Sequence, residues 1–451
     1  MQTMARHCAV VLGGGMAGLL AARVLTDEYA RVILVERDRF PRGSEHRRGI
    51  PHGHHAHALL PRGRQVMEDL LPGLTAQLMA SGALAGDVLG NIRWYLNGQR
   101  LSRTSTGLLA LSASRPLIEG AIRERVLALR NVTTLDGYDI VGLRSSPDRR
   151  RITGVRATSP HRDGDRVVSA DLVVDATGRG SRSPRWLAEL GYPTLELDRV
   201  TVGLTYASRV FRTPPQFFGD DIAVVTPRYP GKLRSGVMQR IEGDRVIVTL
   251  AGLLGERPPL ELEGFARYAA SLAAPDIHEA VRSSRPIAEP AAFRFPTYVR
   301  RRYERLTDVP AGLFVIGDAM CAFNPVYAQG MSVAALGAAV LRDEVRRGGE
   351  PDGPRFYAAM SRMLDAPWTL AVGADLAVAG VEGPPMPRSS LSHEYLAALQ
   401  RRAVEDADVA AAFIRVTSLV DEPSTLSPTC ATSSARSGRQ PVERAEGADQ
   451  P

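Results

Sequence analysis

Apolar residues follow two rhythms along this chain, and the switch between them divides it. Short unbroken runs at Val10–Leu12, Val32–Val35, Leu172–Val174 and Leu313–Ile316 predict strands buried on both faces, as in a parallel sheet. From Val200 the apolar positions alternate instead, through Thr201–Phe211, Asp221–Thr226, Leu233–Ile241 and Arg245–Leu250. The last two join around Glu242-Gly243-Asp244, and Ala291–Val299 adds another strand. That period predicts an antiparallel sheet with one face buried. Helical spacing covers Leu19–Leu25, Leu59–Leu71, Pro116–Leu129 with Ser114 as its cap, Phe265–Arg282, Gln329–Val345, 354–380 and 391–417. Residues 88–103 predict a hairpin turning at Asn97-Gly98. Val132–Leu143, Ile152–Thr158 and Val167–Ser169 predict a β-meander. Residues 421–451, rich in Ser, Thr, Pro, Arg and Glu, predict a disordered tail.

Between the first two strands stands Gly13-Gly14-Gly15-Met16-Ala17-Gly18, which satisfies G-x-G-x-x-G. Gly13 permits the tight turn, Gly15 lets backbone approach a pyrophosphate, and Gly18 lets the helix pack on the strand. The N–H groups of Met16 and Ala17 open that helix toward the anion. Glu36 ends the second strand, where a carboxylate takes ribose hydroxyls. A glycine-rich turn of another α/β protein would leave Glu36 to chance, so the stretch reads as a dinucleotide site.

The 451 residues carry a net charge of +7 with 44% hydrophobic residues, a soluble composition long enough for two domains. Lys232 is the single lysine, so the positive charge is an arginine bias. Aromatics are 6% and interleave with no basic run, which argues against a nucleic-acid partner. Cys8, Cys321 and Cys430 make neither metal spacing nor a disulfide framework, and suit a reducing cytoplasm. The first strand begins within about ten residues, leaving no room for a signal peptide. Met331–Leu341 is too short to span a bilayer, and Asp375 interrupts Trp368–Val381. His52, His54, His55 and His57 invite a metal reading, but no acid or cysteine stands at ligand spacing, so no metal is expected. Ser181 lacks a nucleophile elbow and reads as a helix cap.

Three marks follow one another along the chain: Gly13/Gly15/Gly18 with Glu36, Asp171–Gly178 followed by Ser181, and Gly317-Asp318 with Pro325 and Gly330-Met331. On these the chain resembles the flavoprotein monooxygenases that carry FAD on one Rossmann-type domain. Within that class it is most similar to the bacterial flavin epoxidases of polyether-polyketide pathways. These share the stretch from Val10 to Gly18, His55-Ala56-His57, Asp171–Asp175 with Thr177–Ser181, Tyr206-Ala207 with Arg209 and Phe211-Arg212, and Ala322–Tyr327. The likeness runs from about residue 9 to 370.

The resemblance implies an α/β fold: a Rossmann-type FAD-binding domain (1–85, 104–199 and 300–350), an inserted antiparallel β-sheet substrate domain (86–103 and 200–299) and C-terminal helices (351–420). It implies that Glu36 and Arg37 bind the adenosine end of FAD, that Arg47 and Arg115 reach the flavin or its phosphates, and that Ile140 presents backbone to the adenine. Asp318 would accept from the ribityl chain. The helix start at Gly330-Met331 would face the flavin pyrimidine ring, where its dipole favours negative charge.

NAD(P)H is implied as a transient reductant, directly or through a separate flavin reductase. The chemistry of the class runs through a flavin C4a-hydroperoxide that passes oxygen to an alkene or an electron-rich ring, and it needs no side-chain acid or base. No catalytic residue is therefore nominated. The substrate is a small hydrophobic molecule, a polyketide- or terpenoid-like intermediate, and Trp94, Tyr95, Tyr206, Phe211, Met238, Phe293 and Phe295 are candidates to line its space. The chain departs from the aromatic hydroxylases at Thr177-Gly178, where they carry Asp-Gly in a motif that helps with NAD(P)H. It departs from the epoxidase-like loop at Pro51-His52, where Pro-Gln precedes His-x-His.

A flavin halogenase would need a lysine beyond the glycine motif, which Lys232 alone does not supply, and a Trp-x-Trp that Trp94, Trp186 and Trp368 do not form. An FAD-dependent reductase or dehydrogenase of a prenyl or polyketide substrate stands as the alternative. Monomer and homodimer are both open.

Overall fold

The structure, a computed structural model, describes residues 6–160, 162–229, 231–385 and 393–427. In chain order the strands are β1 (Arg6–Leu12), β2 (Tyr29–Glu36), β3 (Leu84–Asp87), β4 (Ile92–Leu96), β5 (Gln99–Arg100), β6 (Leu109–Ser112), β7 (Val132–Asp136), β8 (Asp139–Ser145) and β9 (Ile152–Ser159). There follow β10 (Arg162–Ser169), β11 (Leu172–Asp175), β12 (Leu197–Arg212), β13 (Ala223–Thr226), β14 (Arg234–Ile241), β15 (Arg245–Gly252), β16 (Arg285–Pro286), β17 (Ala291–Arg301) and β18 (Leu313–Val315). The helices are α1 (Met16–Leu25), α2 (Pro61–Leu70), α3 (Leu74–Ala80), α4 (Arg115–Leu127), α5 (Ser183–Glu189) and α6 (Leu262–Ala270). The remainder are α7 (Asp276–Ser283), α8 (Gly330–Val345), α9 (Gly353–Leu376), α10 (His393–Glu405) and α11 (Ala407–Thr417).

The unbroken apolar runs form a parallel sheet in the order β18-β11-β1-β2-β7, a Rossmann-like arrangement. The runs of β18, β11, β1 and β2 are buried in one core with residues of α1, α4, α8 and α9, while β7 at the edge is only partly buried. Phe314 of β18 stacks on Phe356 of α9 with ring centroids 4.1 Å apart. The alternating segments form the larger, mainly antiparallel sheet, β16-β12-β15-β14-β13-β4-β5, with β17 also on β12 and β4 running parallel to β13. One face of that sheet carries Phe211, Met238, Val248 and Leu250 against Phe265, Tyr268 and Ile277 of α6 and α7. The other looks toward the parallel domain. β8, β9 and β10 make a small antiparallel sheet, and β3 pairs with β6.

Four expected segments differ. The strand expected over Val132–Leu143 divides at Gly137, whose φ of +77° sends β7 into the parallel sheet and β8 into the small one. The helix expected over Phe265–Arg282 divides before α7, at Pro275, which has no N–H to continue it. The helix expected over 391–417 divides at Asp406, whose carboxylate accepts from Asp408 N and Val409 N and caps α11. The start of the expected tail is packed: Asp421 pairs with Arg415 at 2.7 Å, Tyr395 donates to Leu426 O, and Leu426 is buried. The rest of that tail, 428–451, lies outside the described residues. Ser114 caps α4 as expected, accepting from Leu117 N at 3.3 Å. No helix of the described chain is long and apolar enough to cross a membrane.

Candidate active site

The parallel sheet, the larger antiparallel sheet and the helices α8–α11 line one cavity of about 2290 Å³. The glycine turn forms one of its walls. Gly13 holds φ +91°, and a Cβ there would lie 2.6 Å from Ala176 O. A Cβ on Gly18 would lie 1.8 Å from Gly13 O, so helix and turn touch only because both are glycine. Gly15 is the opposite case: a Cβ there meets nothing within 4 Å. Open space therefore stands at the N-terminus of α1, where the N–H groups of Met16 and Ala17 have no partner in the helix. Of the residues singled out for a cofactor, Gly13, Gly15, Met16, Ala17, Glu36, Arg37, Arg47, Arg115, Ile140, Asp318, Gly330 and Met331 all line this cavity. Gly18 is the exception. It lies off the wall and serves packing, as its closeness to Gly13 dictates.

Two side chains sit differently from the expectation. Glu36 is buried, and its carboxylate already accepts from Gly14 N at 2.6 Å and Asp38 N at 2.9 Å, with Arg47 at 2.8 Å. It thus shapes the glycine turn while also lining the cavity. Arg47 does not project an open fork. It donates to Gly14 O at 2.7 Å and bridges Glu36 and Glu119. Burial works against its charge, but Glu36, Glu119 and Asp38 outweigh that and raise its pKa. Arg115 pairs with the same Glu119 at 3.0 Å. Removing Glu119 would leave the buried Arg115 without an ion-pair partner among the described residues, whereas Arg47 would keep Glu36.

Asp318 follows Gly317, whose φ is +60°, at the end of β18. Among the described residues its carboxylate accepts no hydrogen bond and has no ion-pair partner within 4 Å. Burial raises its pKa, and the guanidinium groups of Arg179, Arg115 and Arg301 oppose the rise. Arg179 itself lies over the Phe295 ring at 4.1 Å. At the start of α8, Gln329 Oε1 is buried on the cavity wall without a partner among the described residues, and a Cβ on Gly330 meets nothing within 4 Å; Ser332 Oγ, also without one, faces Gly63 of α2 instead.

Among the described residues no group of three or more His, Cys, Asp or Glu side chains is placed to hold a metal ion, and the histidines make ring and hydrogen-bond contacts. His46 stacks on His54 at 3.8 Å, and His55 lies edge-on to Tyr206 at 4.4 Å. His55 Nδ1 meets Ser208 Oγ at 2.7 Å, which meets Thr249 Oγ1 at 2.6 Å. Burial holds the pKa of His55 down to about 3 and that of His57 to about 4, so both stay neutral. Burial also holds His52 low, with His57 and Arg115 adding to it.

Residues 9–185 match the family described as FAD dependent oxidoreductase. Protein Rv3254 of Mycobacterium tuberculosis (strain ATCC 25618 / H37Rv) is 32% identical over 439 residues, covering 92% of this chain and 90% of the relative. The chain belongs to the FAD-dependent oxidoreductases. In fold the oxidoreductase is similar to the flavin-dependent brominase Bmp2, with a TM-score of 0.64 at 15% identity over 95% of this chain and 100% of that one. It is also similar to PqsL of Pseudomonas aeruginosa, described as a probable FAD-dependent monooxygenase, with a TM-score of 0.56 at 19% identity over 90% and 99%.

The oxidoreductase's residues fit FAD. The clear space over Gly15, the unpaired N–H groups of α1, the Asp318 carboxylate, without a partner among the described residues, and the orphaned Gln329 Oε1 on the cavity wall are the partners a dinucleotide flavin uses. Trp94, Tyr206, Phe293 and Phe295 line the cavity as expected. Tyr95, Phe211 and Met238 do not; they face α6 and α7, and Tyr95 donates to Asp276 at 2.7 Å. Strand alternation is the reason, since each stands at odd spacing from a cavity-facing neighbour.

Sequence reasoning missed three groups on this wall. Gln239 donates to His57 O at 3.0 Å and holds the histidine loop to β14. Leu396, Ala397, Phe413 and Ile414 bring α10 and α11 to the far apolar end. Arg228, Asn324 and Tyr327 converge on Asp375. Pattern marks such residues as ordinary amphipathic or loop positions, so only the fold reveals them. Lys232 also reaches the cavity wall.

Proposed function

We propose that this oxidoreductase is an FAD-dependent monooxygenase that uses NAD(P)H and O2 to epoxidise or hydroxylate a hydrophobic polyketide- or terpenoid-like intermediate. The observation that carries the reading is the continuity of this cavity. It runs from the glycine turn, past Asp318 and the start of α8, to an apolar arm walled by Val88, Ile92, Trp94, Leu96, Phe413 and Ile414. Bound FAD supplies the redox chemistry, accepting reducing equivalents from NAD(P)H and activating oxygen. The chain does the rest. Met16 and Ala17 would offer N–H groups to the pyrophosphate, Asp318 would accept from a hydroxyl of the ribityl chain, and the α8 N-terminus would favour negative charge on the ring. The apolar arm orients the substrate and keeps water from the reacting atoms. The neutral His52, His55 and His57 add polarity to the wall without charge. Electrons come from NAD(P)H directly or through a separate flavin reductase.

The test is turnover under 18O2 with NADPH or NADH and a panel of polyene and phenolic polyketides. One labelled oxygen in the product per reduced nucleotide consumed supports the reading. Substrate reduction or dehydrogenation that proceeds without O2 and without label replaces it with the reductase or dehydrogenase alternative.

A further inference from the structure

Asp375 is the one acid in the apolar stretch Trp368–Val381, and it is completely buried. Four side chains from three other parts of the chain donate to it. Tyr298 OH of β17 lies 2.8 Å from Oδ2, and Tyr327 OH lies 2.7 Å from Oδ1. Asn324 Nδ2 reaches both oxygens, at 3.2 and 3.0 Å. Arg228, in the loop after β13, lies 3.1 Å from Oδ1 and also donates to Tyr327 OH at 3.0 Å. Burial, and then the carboxylate itself, push both phenols above their usual range, so each keeps its proton to donate.

Two of these donors, Asn324 and Tyr327, frame the turn that leads into α8. Asn324 Oδ1 accepts from Val326 N at 3.2 Å. The turn then passes through Ala328 in the left-handed region at φ +54°, a conformation a non-glycine residue holds only when its surroundings impose it. Gln329 and Gly330 follow, with the orphaned Gln329 Oε1 and the free N–H groups that open α8. Every residue from Phe323 to Met331 lines the cavity. Arg228 ties the same carboxylate to the antiparallel sheet.

We propose that Asp375 is a positioning residue for the flavin. By holding Asn324 and Tyr327 it sets the strained turn that aims the α8 N-terminus into the cavity, and through Arg228 it locks the substrate sheet to that turn. This rests on the reading of the cavity as an FAD site. It predicts that Asp375 acts on flavin affinity and electronics beyond any effect on stability.

The experiment compares wild type, Asp375→Asn, Tyr327→Phe and Tyr298→Phe as full-length proteins stripped of flavin. FAD is titrated by fluorescence quenching, the melting temperature of each apoprotein is recorded, and the reduction potential of bound flavin is measured. Asp375→Asn and Tyr327→Phe are expected to weaken FAD binding about tenfold or more and to shift the potential. Tyr298→Phe, whose phenol lies on β17 and off the turn, is expected to lower the melting temperature with little change in FAD affinity. Equal FAD affinity and potential in wild type, Asp375→Asn and Tyr327→Phe overturn the proposal, whatever their melting temperatures. If Asp375→Asn does not fold, Tyr327→Phe decides alone. A wild type that takes up no FAD overturns the cofactor reading and this proposal together.

Discussion

Gly15 and Gly18 stand three residues apart in one motif and ask for opposite experiments. Gly15 has φ −80° and open space where a Cβ would go, so Gly15→Ala should leave the apoprotein's stability within about 0.5 kcal/mol of wild type. The added methyl enters the space of the pyrophosphate, and FAD affinity should fall about tenfold, ~1.4 kcal/mol. In Gly18→Ala the methyl meets backbone, which cannot swing aside, and the cost should be about 1–3 kcal/mol or more of folding stability. Thermal melts with and without FAD separate the two effects; equal behaviour of the two variants would refute the assignment. The histidines give a second test at this scale. Their folded pKa values lie below the ordinary 6.5, at about 3 for His55 and about 4 for His57. Above pH 6.5 neither state takes up a proton, so they add no pH dependence. Below it the unfolded chain binds protons that the fold refuses, and stability falls as pH drops from 6.5 toward 4. Replacing His55 by Phe should flatten part of that decline in denaturant midpoints, and an unchanged slope would count against burial of the neutral ring.

At the scale of elements, the α10–α11 hairpin closes the apolar arm. It packs Ala403, Ala410 and Ile414 against Val88, Leu89, Leu101 and Ile222, while Leu396, Ala397 and Phe413 reach the cavity. Ala397→Phe should fill the arm and raise KM for a long hydrophobic substrate about fivefold, ~1 kcal/mol, with the FAD dissociation constant unchanged. A change in FAD affinity with no change in KM would place this hairpin elsewhere in the function. The turn from Asn324 to Gly330 is the counterpart on the cofactor side. Both elements show why pattern alone identified helices but not their tasks. Periodicity reports which face of a helix is buried, and it is silent on whether that face meets another helix or a ligand.

For the whole molecule, the cavity joins two sheets built on different rules, one parallel with its inner strands buried, the other mainly antiparallel with one face to the cavity. A ligand bound between them should stabilise both. Saturating FAD at about 100 times its dissociation constant adds ~2.7 kcal/mol by mass action. Calorimetry should show one cooperative transition moving upward with FAD; two transitions, of which one alone moves, would show that the sheet domain does not share the site.

What the sequence determined by itself is the local chemistry: unbroken and alternating apolar runs gave parallel and antiparallel strands, and the glycine spacing with Glu36 gave a dinucleotide turn. These are properties of neighbouring residues, set by backbone geometry and side-chain period. Tertiary structure alone decided the partnerships between distant residues. Glu36 and Arg47 meet Glu119 in a buried network, Gly137 hands the chain from one sheet to another, and Phe211 turns away from the cavity while Tyr206 faces it. Asp375, in sequence a polar break in an apolar helix, gathers Arg228, Tyr298, Asn324 and Tyr327 only once four segments are packed together. A buried carboxylate is stable only when donors surround it, and the identity of donors so far apart along the chain is a consequence of topology rather than of pattern.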